Sequence, residues 1–224
     1  SGSTKKIFKF IVYTYKNRKF TKPFEDLKRI GSCRKNIGVG EVMAHTIYIV
    51  LTKTGTLLSK AIGMYTGKEM NHASIAFDDG LYEMFSFGRR QLNNPLSGGF
   101  LREDAERGLF ESADCVIYRC RISHYQYLEM AKIVRYMYWN RDRYKYNFIG
   151  LFGVMMQKEV RRERAYFCSQ FVATLLKVGG LKIYQNPALM TPHCLAQLPY
   201  LEQVFAGKLA DYLHVVREPA MMYG

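Results

Sequence analysis

The stretch RAYFCSQFVATLLKVGG (residues 164–180) decides how the chain is read. Phe171, Val172, Leu175 and Leu176 recur at helical spacing, and Gly179 marks the stop. A helix therefore begins at or just after Cys168. A thiol there meets the positive end of the helix dipole and amides that have no partner within the helix, and both favour the thiolate. The same amides can hold the oxyanion of an attacked carbonyl. A buried structural cysteine is the commoner fate of this residue type, so the stretch alone leaves both readings open.

A thiolate nucleophile needs a base or imidazolium partner. MNHASIAFDDGLYEMFSFGRR (residues 70–90) reads as a hairpin with His72 at the start of its first strand. Asp79-Gly80 at the tip favours a two-residue type I′ loop. That register sets Ala76 opposite Glu83. His72, Ser74 and Ala76 share a face by the period of two, so Glu83 stands on the face of His72, although about 13 Å along the strand. On this face Glu83 is a candidate to orient the imidazole or to line the same cleft, direct contact requiring a bulge or another register, and a structural acid at the cleft edge is the equal alternative. His45, His124, His193 and His214 compete with His72, and composition does not choose among them.

The rest of the chain points to an α+β fold. HTIYIVLT (45–52) and CVIYRCRI (115–122) are β-branched, apolar strands, and YQYLEMAKIVRYMYW (125–139) is a helix with Met130, Ile133, Val134 and Met137 on one side. TGTLLSKAIGMYTG (54–67) reads as a short helix and PLSGGFLRE (95–103) as a glycine-rich loop. Strands and helices mix without strict βαβ alternation.

The net charge of +14 is concentrated near the start: residues 1–36 hold eleven Lys/Arg and two Asp/Glu. KKIFKFIVYTYKNRKF sets Ile7, Phe8, Ile11, Val12 and Tyr15 at helical spacing among lysines, the pattern of a basic interfacial helix. Residues 4–36 are therefore expected to meet an anionic membrane surface, against the alternatives of a solvated basic face or an element packed on the domain. Basic charge alone is no specific signal for nucleic acid. Residues 1–40 read as an appendage, with Ser1-Gly2-Ser3 as an expression remnant, and 41–224 as the main domain. No apolar run reaches the roughly 18 residues of a spanning helix. Five cysteines without a C-x-x-C pair suggest neither a zinc knuckle nor a redox dithiol, and they favour a reducing compartment. The expected location is cytoplasmic, peripheral to a membrane at most.

LTKTGTLLSKAIGMYTG, MNHASIAFDDGLYEM, YFCSQFVATLLKVGGL and LMTPHCLAQLP together resemble the permuted papain-like, NlpC-type cysteine hydrolases, in particular the YiiX-like bacterial group. In that permuted branch a histidine at a strand start precedes a polar residue and, much later, a cysteine at a helix start. Here the order is His72, Glu83, then Cys168-Ser169-Gln170, and the resemblance covers roughly residues 41–199. It implies an antiparallel sheet or small barrel with the cysteine helix packed on it. It gives Cys168, His72 and Glu83 the roles of nucleophile, base and orienter, with Tyr166, Ser169 and Gln170 as oxyanion or cleft groups. The expected chemistry is cleavage of an amide, thioester or ester in a small-molecule, peptide or lipid substrate through an acyl-enzyme, with no metal or cofactor. Lipid acyl transfer, as in the lecithin:retinol acyltransferase branch, and a catalytically silent lipid-binding module are the alternatives.

Overall fold

The computed structural model describes residues 44–54, 69–89, 97–160 and 162–218. The basic segment 4–36 and, beyond Thr54, the helix expected over 54–67 lie outside the described residues.

Six strands form one antiparallel sheet in the order β4-β3-β2-β1-β5-β8. They are β1 (Ala44–Lys53), β2 (His72–Ala76), β3 (Met84–Arg89), β4 (Gly98–Glu103), β5 (Asp114–Ser123) and β8 (Glu202–Lys208). The sheet is open, not a barrel, with β4 and β8 at its edges. β1 lies inside it, pairing with β2 and β5, which is why its run of Ile47, Ile49, Val50 and Leu51 is buried on both faces.

Each face carries its own core. Ile47, Ile49, Leu51, Ala73, Ile75, Phe85, Phe87 and Phe100 pack with α1 (His124–Trp139) and α3 (Cys168–Val178). These helices contribute Met130, Ile133, Val134 and Met137, and Phe171, Val172, Leu175 and Leu176, the residues their periodicity selects. The opposite face, through Val50, Ala76, Met84, Cys115 and Ile117, packs on Leu209, Tyr212 and Leu213 of α4 (Leu209–Arg217). α1 starts in a capping box: the Ser123 hydroxyl accepts from the Gln126 amide, and the Gln126 side chain accepts from the Ser123 amide.

A two-stranded parallel ribbon stands beside the main sheet. β6 (Lys145–Tyr146) pairs with β7 (Ala165–Tyr166). β6 runs into α2 (Phe148–Met155) and β7 into α3, so the ribbon brings two helix N-termini together.

Two local expectations are corrected. The hairpin does not close on a two-residue loop. Ala76 stands opposite Met84 and Ile75 opposite Phe85, one residue later than a tight turn would give. The Asp78 carboxylate accepts from the Tyr82 and Glu83 amides, and Leu81 takes a left-handed φ of 55°, which lengthens the connection. Residues 98–103 are not a loop but β4, paired along its length with β3. Glycine is required at 98 because a Cβ there would stand 2.6 Å from the Tyr146 Cβ. α3 ends at Val178 with Gly179 as its C-cap, where the stop was expected, and Gly180, with φ of +86°, is the left-handed residue that follows.

Asn147 joins the ribbon to α2. It is fully buried, its Oδ1 accepts from the Gly150 amide at 2.9 Å, and its Nδ2 donates to the Val160 carbonyl at 3.2 Å. Asn147→Ala removes a helix cap and leaves buried backbone groups without partners. The expected loss, read by urea denaturation, is about 1–3 kcal/mol.

Candidate active site

The site forms where β2 and β3 part. Their ladder runs through Ala76↔Met84 and Ile75↔Phe85 only, whereas β2 stays paired to β1 down to His72. Beyond the ladder, the Ala73 amide donates to the Cys168 sulfur. Asn71 fixes the start of β2: its amide donates to the Thr52 carbonyl, and its side chain exchanges hydrogen bonds with Thr54.

Cys168 is the first residue of α3. The N-cap is Phe167, whose side chain has no acceptor, so nothing of the usual Ser or Asp type takes up the amides of the first turn. The Ser169 amide is thereby left for the thiol, to which it donates. Cys168 is buried, at 4% exposure.

His72 reaches the same point. Its Nε2 lies 3.2 Å from Glu103 Oε1 and 3.3 Å from Ser74 Oγ, and the imidazole is hydrogen-bonded to Cys168. With Nε2 committed to Glu103, Nδ1 is the nitrogen available to sulfur. Ser86 donates its hydroxyl to the same carboxylate oxygen of Glu103. The Phe110 ring closes the histidine off, 5.9 Å between centroids.

Burial raises the thiol pKa, but the hydrogen bond and charge of His72 and the two backbone amides outweigh it, so Cys168 lies below its ordinary value of 9.0. Burial likewise works against charge on His72, yet Cys168 and Glu103 together lift its pKa to about 10. The two shifts describe one state, a thiolate facing an imidazolium. Two other thiols go the opposite way: burial pushes Cys115 up to about 12 and Cys120 to about 11.

Tyr146, on β6, is hydrogen-bonded to Cys168. Burial and then the neighbouring thiolate push its hydroxyl well above its ordinary range, so it stays protonated and donates.

No protein-family model, curated protein or solved structure matches the chain. The site is therefore read from its own chemistry.

Of the expected residues, Cys168 and His72 come together and Glu83 does not join them. With Ala76 opposite Met84, Glu83 falls in the turn, exposed, its amide held by Asp78. The carboxylate beside His72 is Glu103 from β4. It stands opposite Met84 and so shares a face with Ser86, Ser74 and His72. A signal for Glu103 was present in the hydroxyls at 74 and 86 on that face, but reading residues 95–103 as a loop hid the strand that delivers it. Tyr166 is not the tyrosine at the thiol. Its ring packs 5.2 Å from Phe87, and Tyr146, its neighbour on the ribbon, has that place. The Ser169 hydroxyl donates to the Met190 carbonyl at 2.7 Å, and the Gln170 side chain accepts from the Phe167 amide at 3.3 Å, so both side chains secure α3 and do not face the cleft. His45, the rival partner, is paired with His124 at 2.8 Å and stacked on Tyr127. Among the described residues, no cluster of His, Cys, Asp or Glu could hold a metal ion, and no helix is long and apolar enough to cross a membrane.

Brief iodoacetamide treatment at neutral pH, followed by peptide mapping, should label Cys168 first among the five cysteines, with Cys115 and Cys120 protected as protonated, buried thiols. Earlier labelling of any other cysteine in the folded protein would remove Cys168 as the nucleophile.

Proposed function

We propose that the chain is a cysteine hydrolase or acyl-transfer enzyme of permuted papain-like type that attacks an amide, thioester or ester carbonyl through Cys168. The observation that carries this reading is the hydrogen-bonded series Cys168–His72–Glu103, with a lowered thiol and a raised imidazole. A structural cysteine has no use for such a partner.

The steps follow from the placement. The Cys168 thiolate adds to the carbonyl carbon, forming a carbon–sulfur bond and an oxyanion. Tyr146 and the amides of Ser169 and Ala73 are the donors already gathered at sulfur and so stand nearest that oxyanion. His72, protonated, gives its proton to the leaving nitrogen, oxygen or sulfur as that bond breaks. The neutral imidazole then takes a proton from water or another acceptor, whose attack on the acyl-enzyme breaks the carbon–sulfur bond and restores the thiolate. Glu103 holds the ring through Nε2 and favours its charged form, and Ser86 holds Glu103. None of these steps requires a metal or an organic cofactor. Amides are the favoured substrates, in keeping with the resemblance drawn from the sequence.

A p-nitrophenyl ester and an arylamide series, read by turnover and by the mass of the trapped acyl-enzyme, tests the reading with Cys168→Ala as the blank. His72→Ala should lower turnover by about 10²–10⁴-fold. Glu103→Gln keeps the shape but loses the charge, and should cost on the order of 10–100-fold. Glu83→Gln should match the wild type. Unchanged turnover in His72→Ala, or an acyl adduct on another residue, would overturn the assignment.

A further inference from the structure

α2 is the least polar of the described helices, and its outer side is bare. Ile149, Phe152 and Met156, the residue that caps it, follow one another at i, i+3 and i+7 and are 55%, 58% and 66% exposed. The inner side is accounted for: Leu151 is buried in the main core and Gly150 lies against Asn147. Cations flank this helix along the chain. Residues 141–164 hold seven Lys/Arg and three Asp/Glu. Lys145 just before α2, and Lys158 and Arg162 after it, are exposed. The chain turns back on itself after α2, with the Lys158 amide donating to the Gly153 carbonyl and the Lys145 amide to the Arg164 carbonyl. The basic residues of both flanks are thereby kept close to the helix.

We propose that α2 is an interfacial helix that seats this domain on an anionic lipid bilayer, its apolar stripe among the acyl chains and its basic flanks at the headgroups. An exposed apolar stripe with a cationic border has the chemistry of such a surface. The charge selects the occupant. The cations before and after α2 are attracted to an anionic headgroup layer and not to a neutral one.

Position gives the surface its use, and here the inference rests on the function proposed above. Tyr146, hydrogen-bonded to Cys168, is the second residue before α2, and Cys168 itself opens the neighbouring helix from the same ribbon. A bilayer under α2 therefore lies beside the thiolate. Substrates reaching it from that side are amphiphiles whose amide, thioester or ester carbonyl sits at the lipid–water boundary.

The test is sedimentation of the full-length chain with vesicles of phosphatidylcholine alone and of phosphatidylcholine with phosphatidylglycerol. Wild type, Ile149→Asp and Phe152→Asp are compared, with Ile149→Ser/Phe152→Ser as a milder pair should a carboxylate disturb the helix. Cys168 alkylation is measured in the same samples. Wild type should bind the anionic vesicles and not the neutral ones, and each Asp variant should bind about tenfold or more weakly. Alkylation should stay at the wild-type rate. Absence of wild-type binding to anionic vesicles, or equal binding by all variants, overturns the proposal, the second result assigning the affinity to another segment. A dimer in solution that these substitutions dissociate overturns it also, because a second copy then covers the stripe. Normal alkylation alongside any of these failures leaves the thiol chemistry standing, whereas slow alkylation in the wild type removes that chemistry whatever the vesicles show.

Discussion

The parting of β2 from β3 after Ile75 is the constraint from which the rest of the site follows. A strand that kept its ladder to the end would spend the Ala73 amide on its neighbour and close the gap in which the thiol sits. Because the ladder stops, β2 offers a backbone donor and the His72 ring side by side, and α3 can bring Cys168 to both. Burying a charge pair costs several kcal/mol for each ion, and it persists only where further hydrogen bonds offset that cost. Those bonds are present on both partners. Sulfur has the amides of Ala73 and Ser169 and the Tyr146 hydroxyl, and the imidazole has Glu103 and Ser74. The open sheet and its two cores hold the strand ends that carry these groups.

The elements with strong periodicity were legible in the sequence. β1, β5, α1 and α3 all formed where their apolar spacing placed them, because each has one position set that only burial satisfies. The cysteine at a helix start and the histidine at a strand start were legible for the same reason, since both depend on where an element begins. The carboxylate was not. Its identity depends on a one-residue register, and register is set by the turn: the side chain of Asp78 captures two amides and moves the pairing from Glu83 to Met84. Glu103 was hidden behind the two glycines that open β4, which read as a loop until Tyr146 is seen to need the space above Gly98. Tyr146 itself lies in a two-residue strand, too short for any period to declare it. β8 (EQVFAGK) is exposed at six of its seven positions, so its edge place left no alternation to read.

The ionisation of Cys168 is the property on which the whole site depends. The most direct measurement is ultraviolet thiolate absorbance followed across pH in the wild type and in Cys168→Ser, the difference isolating this one sulfur. A thiolate signal is expected at neutral pH, with a midpoint below 9, and His72→Ala should move that midpoint up because burial is then opposed only by the two backbone amides and the Tyr146 hydroxyl. A Cys168 that titrates near or above 9 in the wild type, and does so unchanged without His72, would contradict the thiolate assignment.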